Sequence, residues 1–107
     1  MISAQLCYEE GNQLYQNGDY VSAVDCYSHG ILARPELHDQ DLAIKLLLNR
    51  TQCNLNLREY VSAVKDCTSI LYLDDLCIKA YIRRAIAYEN LGKFKEGLAD
   101  TEKAMIN

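Results

Sequence analysis

The 107-residue sequence predicts an all-α fold, a solenoid of three stacked helix–turn–helix repeats with six helices. Three observations carry this reading. Tyr-Val-Ser-Ala-Val occurs at both 20–24 and 60–64, and the variant Phe-Lys-Glu-Gly-Leu follows at 94–98. The interval from Tyr60 to Phe94 is 94 − 60 = 34, and that from Tyr20 to Tyr60 is 60 − 20 = 40, one period plus six. Within a unit, apolar residues recur at helical spacing, as at Leu14, Tyr20, Ala23, Val24, Tyr27 and Ile31.

The units run over about 4–37, 44–77 and 78–107 of a single domain spanning 1–107. Ser3 is placed to cap the first helix, which ends at Asn17-Gly18-Asp19. Gly18 supplies a left-handed C-terminal position, and Asp19 accepts from the free amides of the next helix. That second helix covers Tyr20 to about Ala33 and stops before Pro35. The third starts near Asp39 or Asp41, both candidate N-caps, and the six additional residues 38–43 lengthen it by more than one turn. The fourth runs from about Glu59 to Leu73. Asp74 or Asp75 then caps a fifth helix over about Leu76–Leu91, and Gly92 separates it from a sixth over Lys93–Ile106.

Composition narrows the functional classes. Eleven lysines and arginines against 15 acids leave a net charge of −4, which disfavours nucleic acid or an anionic membrane as main partner. No apolar run approaches the ~18 residues of a membrane span, and no basic segment followed by a hydrophobic run marks a signal peptide. The five cysteines, Cys7, Cys26, Cys53, Cys67 and Cys77, are odd in number and lack the short spacings of zinc or redox motifs. They read as reduced thiols used as small core residues, in a cytoplasmic protein with no metal or cofactor. Asn49-Arg50-Thr51 matches a glycosylation sequon, which carries little weight without a secretory signal. His29 and His38 have neither an acid at useful spacing nor a nucleophile beside them, and the five glycines are scattered rather than gathered in a phosphate loop. No catalytic constellation is present, so no enzyme is expected.

The pattern resembles the tetratricopeptide repeat family across essentially the whole chain, and that family's period is the same, about 34 residues. The residues that carry the resemblance are the small position of each first helix (Gly11, Thr51, Ala85) and the aromatic that opens each second helix (Tyr20, Tyr60, Phe94). The small residue at the helix crossing follows (Ala23, Ala63, Gly97), then Tyr27, Cys67 and Thr101 four residues later. The resemblance implies a right-handed solenoid. Arg58 in place of the turn glycine, and Gly30 and Ile70 in place of alanine, depart from the pattern at a cost of about 1 kcal/mol or less each. A polar capping helix is missing, so Leu98, Met105 and Ile106 are expected to be partly exposed or covered by a neighbour. We therefore expect a domain cut from a longer protein, with a natural short chain as the alternative, and either a monomer or a weak homo-oligomer through its uncapped C-terminal face.

In stacked hairpins the first helices line the concave surface, and residues at i, i+4, i+7 and i+11 share one face. That stripe reads Gln5, Glu9, Asn12, Gln16, then Lys45, Asn49, Gln52, Asn56, then Lys79, Arg83, Ile86, Asn90. Its carboxamides both donate and accept, as recognition of an extended peptide backbone requires. Lys79 and Arg83 form a like-charge i,i+4 pair, and Lys45 precedes Lys79 by one full period, 79 − 45 = 34. Three cations on an amide-rich groove fit a peptide's C-terminal carboxylate, unless Asp74, Asp75 or Glu89 neutralises them locally.

The resemblance sharpens at these positions. Co-chaperone members of the family hold the terminal Glu-Glu-Val-Asp tail of heat-shock chaperones of the seventy- or ninety-kilodalton class with a dicarboxylate clamp. Asn12, Asn49, Lys79 and Arg83 match four of its five positions; the fifth, a lysine three residues before Gly11, is Tyr8 here. Losing one charged hydrogen bond, roughly 1.5–3 kcal/mol, predicts binding about 10- to 100-fold weaker than by an intact clamp. Tyr8 either donates one hydroxyl hydrogen bond, stacks on an apolar ligand side chain or packs in the terminal hairpin. The expected function is a co-chaperone-like adaptor whose peptide-binding residues are Asn12, Asn49, Lys79, Arg83 and Gln52, with Tyr8 and Lys45 adjusting selectivity, and with room for an additional protein client. The alternative is an assembly scaffold that binds an internal segment of a partner.

Overall fold

The structure, a computed structural model, describes residues 3–33 and 40–106. These form six helices: α1 (Ala4–Gln16), α2 (Tyr20–Leu32), α3 (Gln40–Asn56), α4 (Tyr60–Leu73), α5 (Ile78–Asn90) and α6 (Phe94–Ile106). The expected stop at Pro35 and the candidate cap at Asp39 lie outside the described residues, and Asp41 falls inside the first turn of α3. With 17 residues, α3 is longer than the 13-residue α1 and α5.

Local chemistry sets the helix ends. Ser3 accepts from the Leu6 amide at 3.0 Å and Asp19 from the Ser22 amide at 3.2 Å, each satisfying an otherwise orphaned N–H. The three hairpin turns share one bonding scheme. Asp19, Glu59 and Lys93 donate back to the Leu14, Asn54 and Tyr88 carbonyls, at 2.9, 2.7 and 2.8 Å, across a left-handed residue. That residue is Gly18 (φ 81°), Arg58 (φ 62°) and Gly92 (φ 75°) in turn. Arg58 adopts the conformation despite its Cβ, which raises the expected cost of about 1 kcal/mol or less to about 1–2 kcal/mol, the ordinary penalty of a left-handed L-residue.

The expected capping of α5 by Asp74 or Asp75 is corrected. Cys77 occupies the cap position without a side-chain bond. Asp74 sits too early and closes its own turn by accepting from the Leu76 amide at 3.1 Å, while the Asp75 carbonyl accepts from the Tyr81 hydroxyl at 2.8 Å.

Each helix packs on the next, and the backbones of α1 and α5 also come close to α3, whereas those of α2, α4 and α6 stay apart from one another. The first helices therefore form the inner, concave layer and the second helices the splayed outer one. Tyr27, Leu46 and Ile70 are fully buried between the layers, and Ala23 and Ala63 sit at the helix crossings with no exposed surface. Gly30 is not simply a weak helix former in this setting. A Cβ there would lie 2.8 Å from Leu46 Cδ2, so the glycine makes room for a fully buried leucine of α3.

Two ion pairs join the layers. Arg50 grips Asp66 through Nε and Nη2 at 2.8 and 2.7 Å and reaches Ser28 Oγ at 3.0 Å with Nη1. Arg84 repeats the arrangement on Asp100 at 2.7 and 2.8 Å and on Thr68 Oγ1 at 3.2 Å, with its guanidinium 5.7 Å from the Tyr88 ring centroid. Each arginine thus ties its own hairpin together and bolts it to the preceding one.

Candidate functional site

The concave layer holds a cavity of about 280 Å³ lined by Asn12, Tyr15 and Gln16 of α1, Tyr27 of α2, Asn49 and Gln52 of α3, and Arg83 of α5. Helical periodicity brings the α1, α3 and α5 residues there, each one projecting from the inner face. Tyr27 reaches it from the outer layer. Its ring crosses at Gly11, where an added Cβ would lie 2.5 Å from Tyr27 Cε1, so only glycine leaves that passage open.

Four of the seven residues expected from sequence therefore meet at this cavity: Asn12, Asn49, Gln52 and Arg83. Tyr8, Lys45 and Lys79 do not border it. Lys45 and Lys79 are exposed, with Lys79 one helical turn before Arg83. Tyr8 is half-buried against the cluster that contains Ala4, Ala23, Tyr27 and Leu42.

Hydrogen bonds fix the orientation of the polar groups. Asn12 Oδ1 accepts from the Tyr27 hydroxyl at 2.5 Å and from Asn49 Nδ2 at 2.8 Å. Gln52 Oε1 accepts from Arg83 Nε at 3.2 Å, and Gln52 Nε2 donates to Asn56 Oδ1 at 3.1 Å. Arg83 is thereby held by its Nε edge, and its two terminal nitrogens remain to grip an acid. Burial pushes the Tyr27 hydroxyl up to about 12 despite the opposing effect of the Asn49 hydrogen bond, so it stays neutral and donating.

The suggested neutralisation by Asp74, Asp75 or Glu89 is not found. Among the described residues the ion pairs are Arg50–Asp66 and Arg84–Asp100, and Lys45, Lys79 and Arg83 pair with no carboxylate. The cations of this face therefore have no ion-pair partner among the described residues, in a chain whose net charge is −4.

From sequence, Tyr27 counts as a packing residue and Tyr15 is not singled out. A signal for Tyr27 existed. Of the equivalent positions Tyr27, Cys67 and Thr101, only Tyr27 carries a side chain long enough to cross the inner layer, and it alone faces a glycine (Gly11, against Thr51 and Ala85).

No family model matches the chain. DnaJ homolog subfamily C member 7 of Mus musculus is 37% identical over 95 residues, which cover 89% of this chain and 19% of that relative. The chain therefore spans about a fifth of the length of that curated relative. Among solved structures, the second TPR of Spaghetti (RPAP3) bound to the HSP90 peptide SRMEEVD superposes with a TM-score of 0.84 at 33% identity, covering 96% of this chain and 84% of that one. The myosin chaperone UNC-45 from C. elegans in complex with an Hsp90 peptide superposes at 0.90 with 28% identity, covering 98% of this chain and 12% of that one.

Proposed function

The chain belongs to the tetratricopeptide repeat family, and on that premise we propose that it binds the acidic, extended C-terminal tail of a heat-shock chaperone of the seventy- or ninety-kilodalton class. In this reading it is a non-enzymatic, co-chaperone-like adaptor of the cytoplasm. The observation that carries the reading is the convergence of Asn12, Asn49 and Arg83 on one concave cavity, with donors free to face it and no acid paired with its cations among the described residues.

Each residue has a distinct role. Asn12 and Asn49 take the terminal carboxylate and the last peptide unit. Arg83, steadied by Gln52, takes an acidic side chain, and Lys79 adds a second cation one turn away. Lys45 contributes positive potential from the preceding unit, and Tyr8 stands where a fifth charged donor is absent. The peptide on the similar RPAP3 domain ends in Glu-Glu-Val-Asp, a ligand of this acidic kind.

The test is fluorescence anisotropy with a labelled Met-Glu-Glu-Val-Asp peptide, as free acid and as C-terminal amide. The free acid should bind more tightly, with an affinity that falls as salt rises and falls again in Asn49→Ala and Arg83→Ala. Equal affinity for the two peptides, or no loss in either variant, overturns the reading.

A second reading, an assembly scaffold, draws on a different place. A cavity of about 280 Å³ between α5 and α6, bordered by Ile82, Ile86 and Met105, is mostly apolar, and Leu98 and Ile106 of α6 are exposed. Light scattering distinguishes the two. Concentration-dependent self-association together with indifference to the peptide terminus favours the scaffold.

A further inference from the structure

The Tyr27 hydroxyl lies 2.5 Å from Asn12 Oδ1 and 3.5 Å from Asn49 Nδ2. A separation of 2.5 Å belongs to O–H···O bonds, since N–H···O bonds are found at about 2.7–3.2 Å. The atom of Asn12 facing Tyr27 is therefore its carbonyl oxygen, and the hydroxyl donates to it. A carboxamide is planar with its oxygen and nitrogen on opposite sides, so this bond decides which end of Asn12 is presented elsewhere. Asn49 follows, because only its NH₂ group can satisfy the same oxygen, at 2.8 Å. Asn12 Nδ2 has no hydrogen-bond partner among the described residues, the second Asn49 N–H has at most the long contact to the Tyr27 hydroxyl, and both asparagines line the cavity.

We propose that Tyr27 is a specificity-determining positioning residue: through Asn12 it locks both asparagines with their N–H groups toward the groove, so that the site accepts a carboxylate and rejects a carboxamide. The inference rests on the tail-binding reading and deepens it. A peptide carboxylate is all acceptor and meets these donors, whereas a terminal amide presents an NH₂ group to two further NH₂ groups and leaves buried donors unpaired. Nothing on the first helices alone would fix this polarity, because an unheld asparagine can turn over. The tyrosine is fully buried and protonated throughout the physiological range, so the lock does not loosen with pH. The passage at Gly11 is what lets an outer-layer hydroxyl reach the inner face.

The experiment compares wild type, Tyr27→Phe, Asn12→Ala and the double variant, each with the labelled Met-Glu-Glu-Val-Asp peptide as free acid and as amide. Wild type should prefer the acid by about tenfold or more, the effect of one charge-assisted hydrogen bond. Tyr27→Phe should lose most of that preference by weakening the acid, with the amide changed less than about twofold. If the tyrosine acts through Asn12, the double variant binds no worse than Asn12→Ala. A Tyr27→Phe protein that keeps the wild-type acid-to-amide ratio, or a double variant whose losses add, overturns the lock and leaves the clamp standing. A wild type without acid preference overturns both. Independently of any variant, the Asn12 and Asn49 side-chain NH₂ resonances of wild type should shift with the acid peptide and not with the amide; equal shifts with both overturn the lock.

Discussion

Arg84 holds Asp100 through two parallel N–H···O bonds of 2.7 and 2.8 Å, and one repeat earlier Arg50 holds Asp66 in the same way. The two acids are nearly fully buried, so each pair depends on its partner rather than on water. The first hairpin has Glu10 and Cys26 at the equivalent positions and no such pair. Asp66→Ala leaves the Arg50 guanidinium in a half-buried site with only Ser28 as partner. It should lower stability by about 3 kcal/mol. Replacing both partners, as Arg50→Met with Asp66→Leu, should recover most of the loss, because the charge and its desolvation leave together. Urea denaturation of the three proteins checks this; an Asp66→Ala midpoint equal to wild type would rule out the staple.

Glycine positions offer an opposing pair of outcomes. A methyl at Gly11 would meet the Tyr27 ring at 2.5 Å, and overpacking of this kind costs about 1–3 kcal/mol, more than the ~1 kcal/mol gained in helix propensity. At Gly97 the nearest atoms are 3.4 Å away, ordinary contact, and the propensity gain stands alone. Gly11→Ala should therefore melt lower and Gly97→Ala higher than wild type, by several degrees in each direction. A Gly11→Ala protein as stable as Gly97→Ala would mean that the Tyr27 ring has another place to go.

The repeat frame was legible because it lies in sequence separations: the echo at Tyr20 and Tyr60 fixed the register, and the register put Asn12, Asn49 and Arg83 on one inner face. The rest of the site depends on contacts between layers, which sequence separations do not carry. Arg50 and Asp66 lie on different helices, and only a shift of one repeat, shared with Arg84 and Asp100, marks them as partners. Tyr27 occupies a position whose occupants elsewhere, Cys67 and Thr101, are too short to reach the groove, so its hydroxyl looked like packing. Asp74 and Asp75 failed as caps because helix propensity and acidic residues place an N-terminus only to within a turn, and α5 began at Ile78.

Alkaline pH should destabilise the protein, chiefly through three buried groups. Burial pushes Cys53 up to about 11 and Cys67 to about 12 from the usual thiol value of 9.0, and Tyr27 to about 12 from 10.0. In the unfolded chain the thiols ionise near 9.0, while in the folded chain they keep their protons up to 11–12. The folded state thus binds more protons across that interval, and stability falls as pH rises. Their contribution is complete below about pH 9 and is lost as pH climbs through the folded values. Melting temperatures recorded from about pH 7 to 11 should stay level at first and then drop. In a Cys53→Ala, Cys67→Ala variant the drop should be shallower, because only Tyr27 and the thiols of Cys7 and Cys26, also raised by burial, remain. A drop of the same size in the two proteins would show that other groups drive the transition.

Tyr8→Lys tests the one of the five clamp positions that is unmatched here, the other four being Asn12, Asn49, Lys79 and Arg83. Tyr8 lies half-buried beside Ala4, Ala23 and Tyr27, so its replacement removes aromatic contact with the end of the core. A lysine stem can still cover part of that surface while its ammonium reaches toward solvent and the groove, which holds the stability loss to about 1 kcal/mol. Against that stands a new charged hydrogen bond to the ligand carboxylate, roughly 1.5–3 kcal/mol, or about 10- to 100-fold in affinity. The gain should appear with the free-acid peptide, shrink as salt screens the new charge, and be absent with the amide. Anisotropy titrations at low and high ionic strength, with both peptides, separate these contributions. An unchanged free-acid affinity would place the terminal carboxylate out of reach of residue 8, and the ligand would then depend on Asn12, Asn49 and Arg83 without a fifth contact from α1.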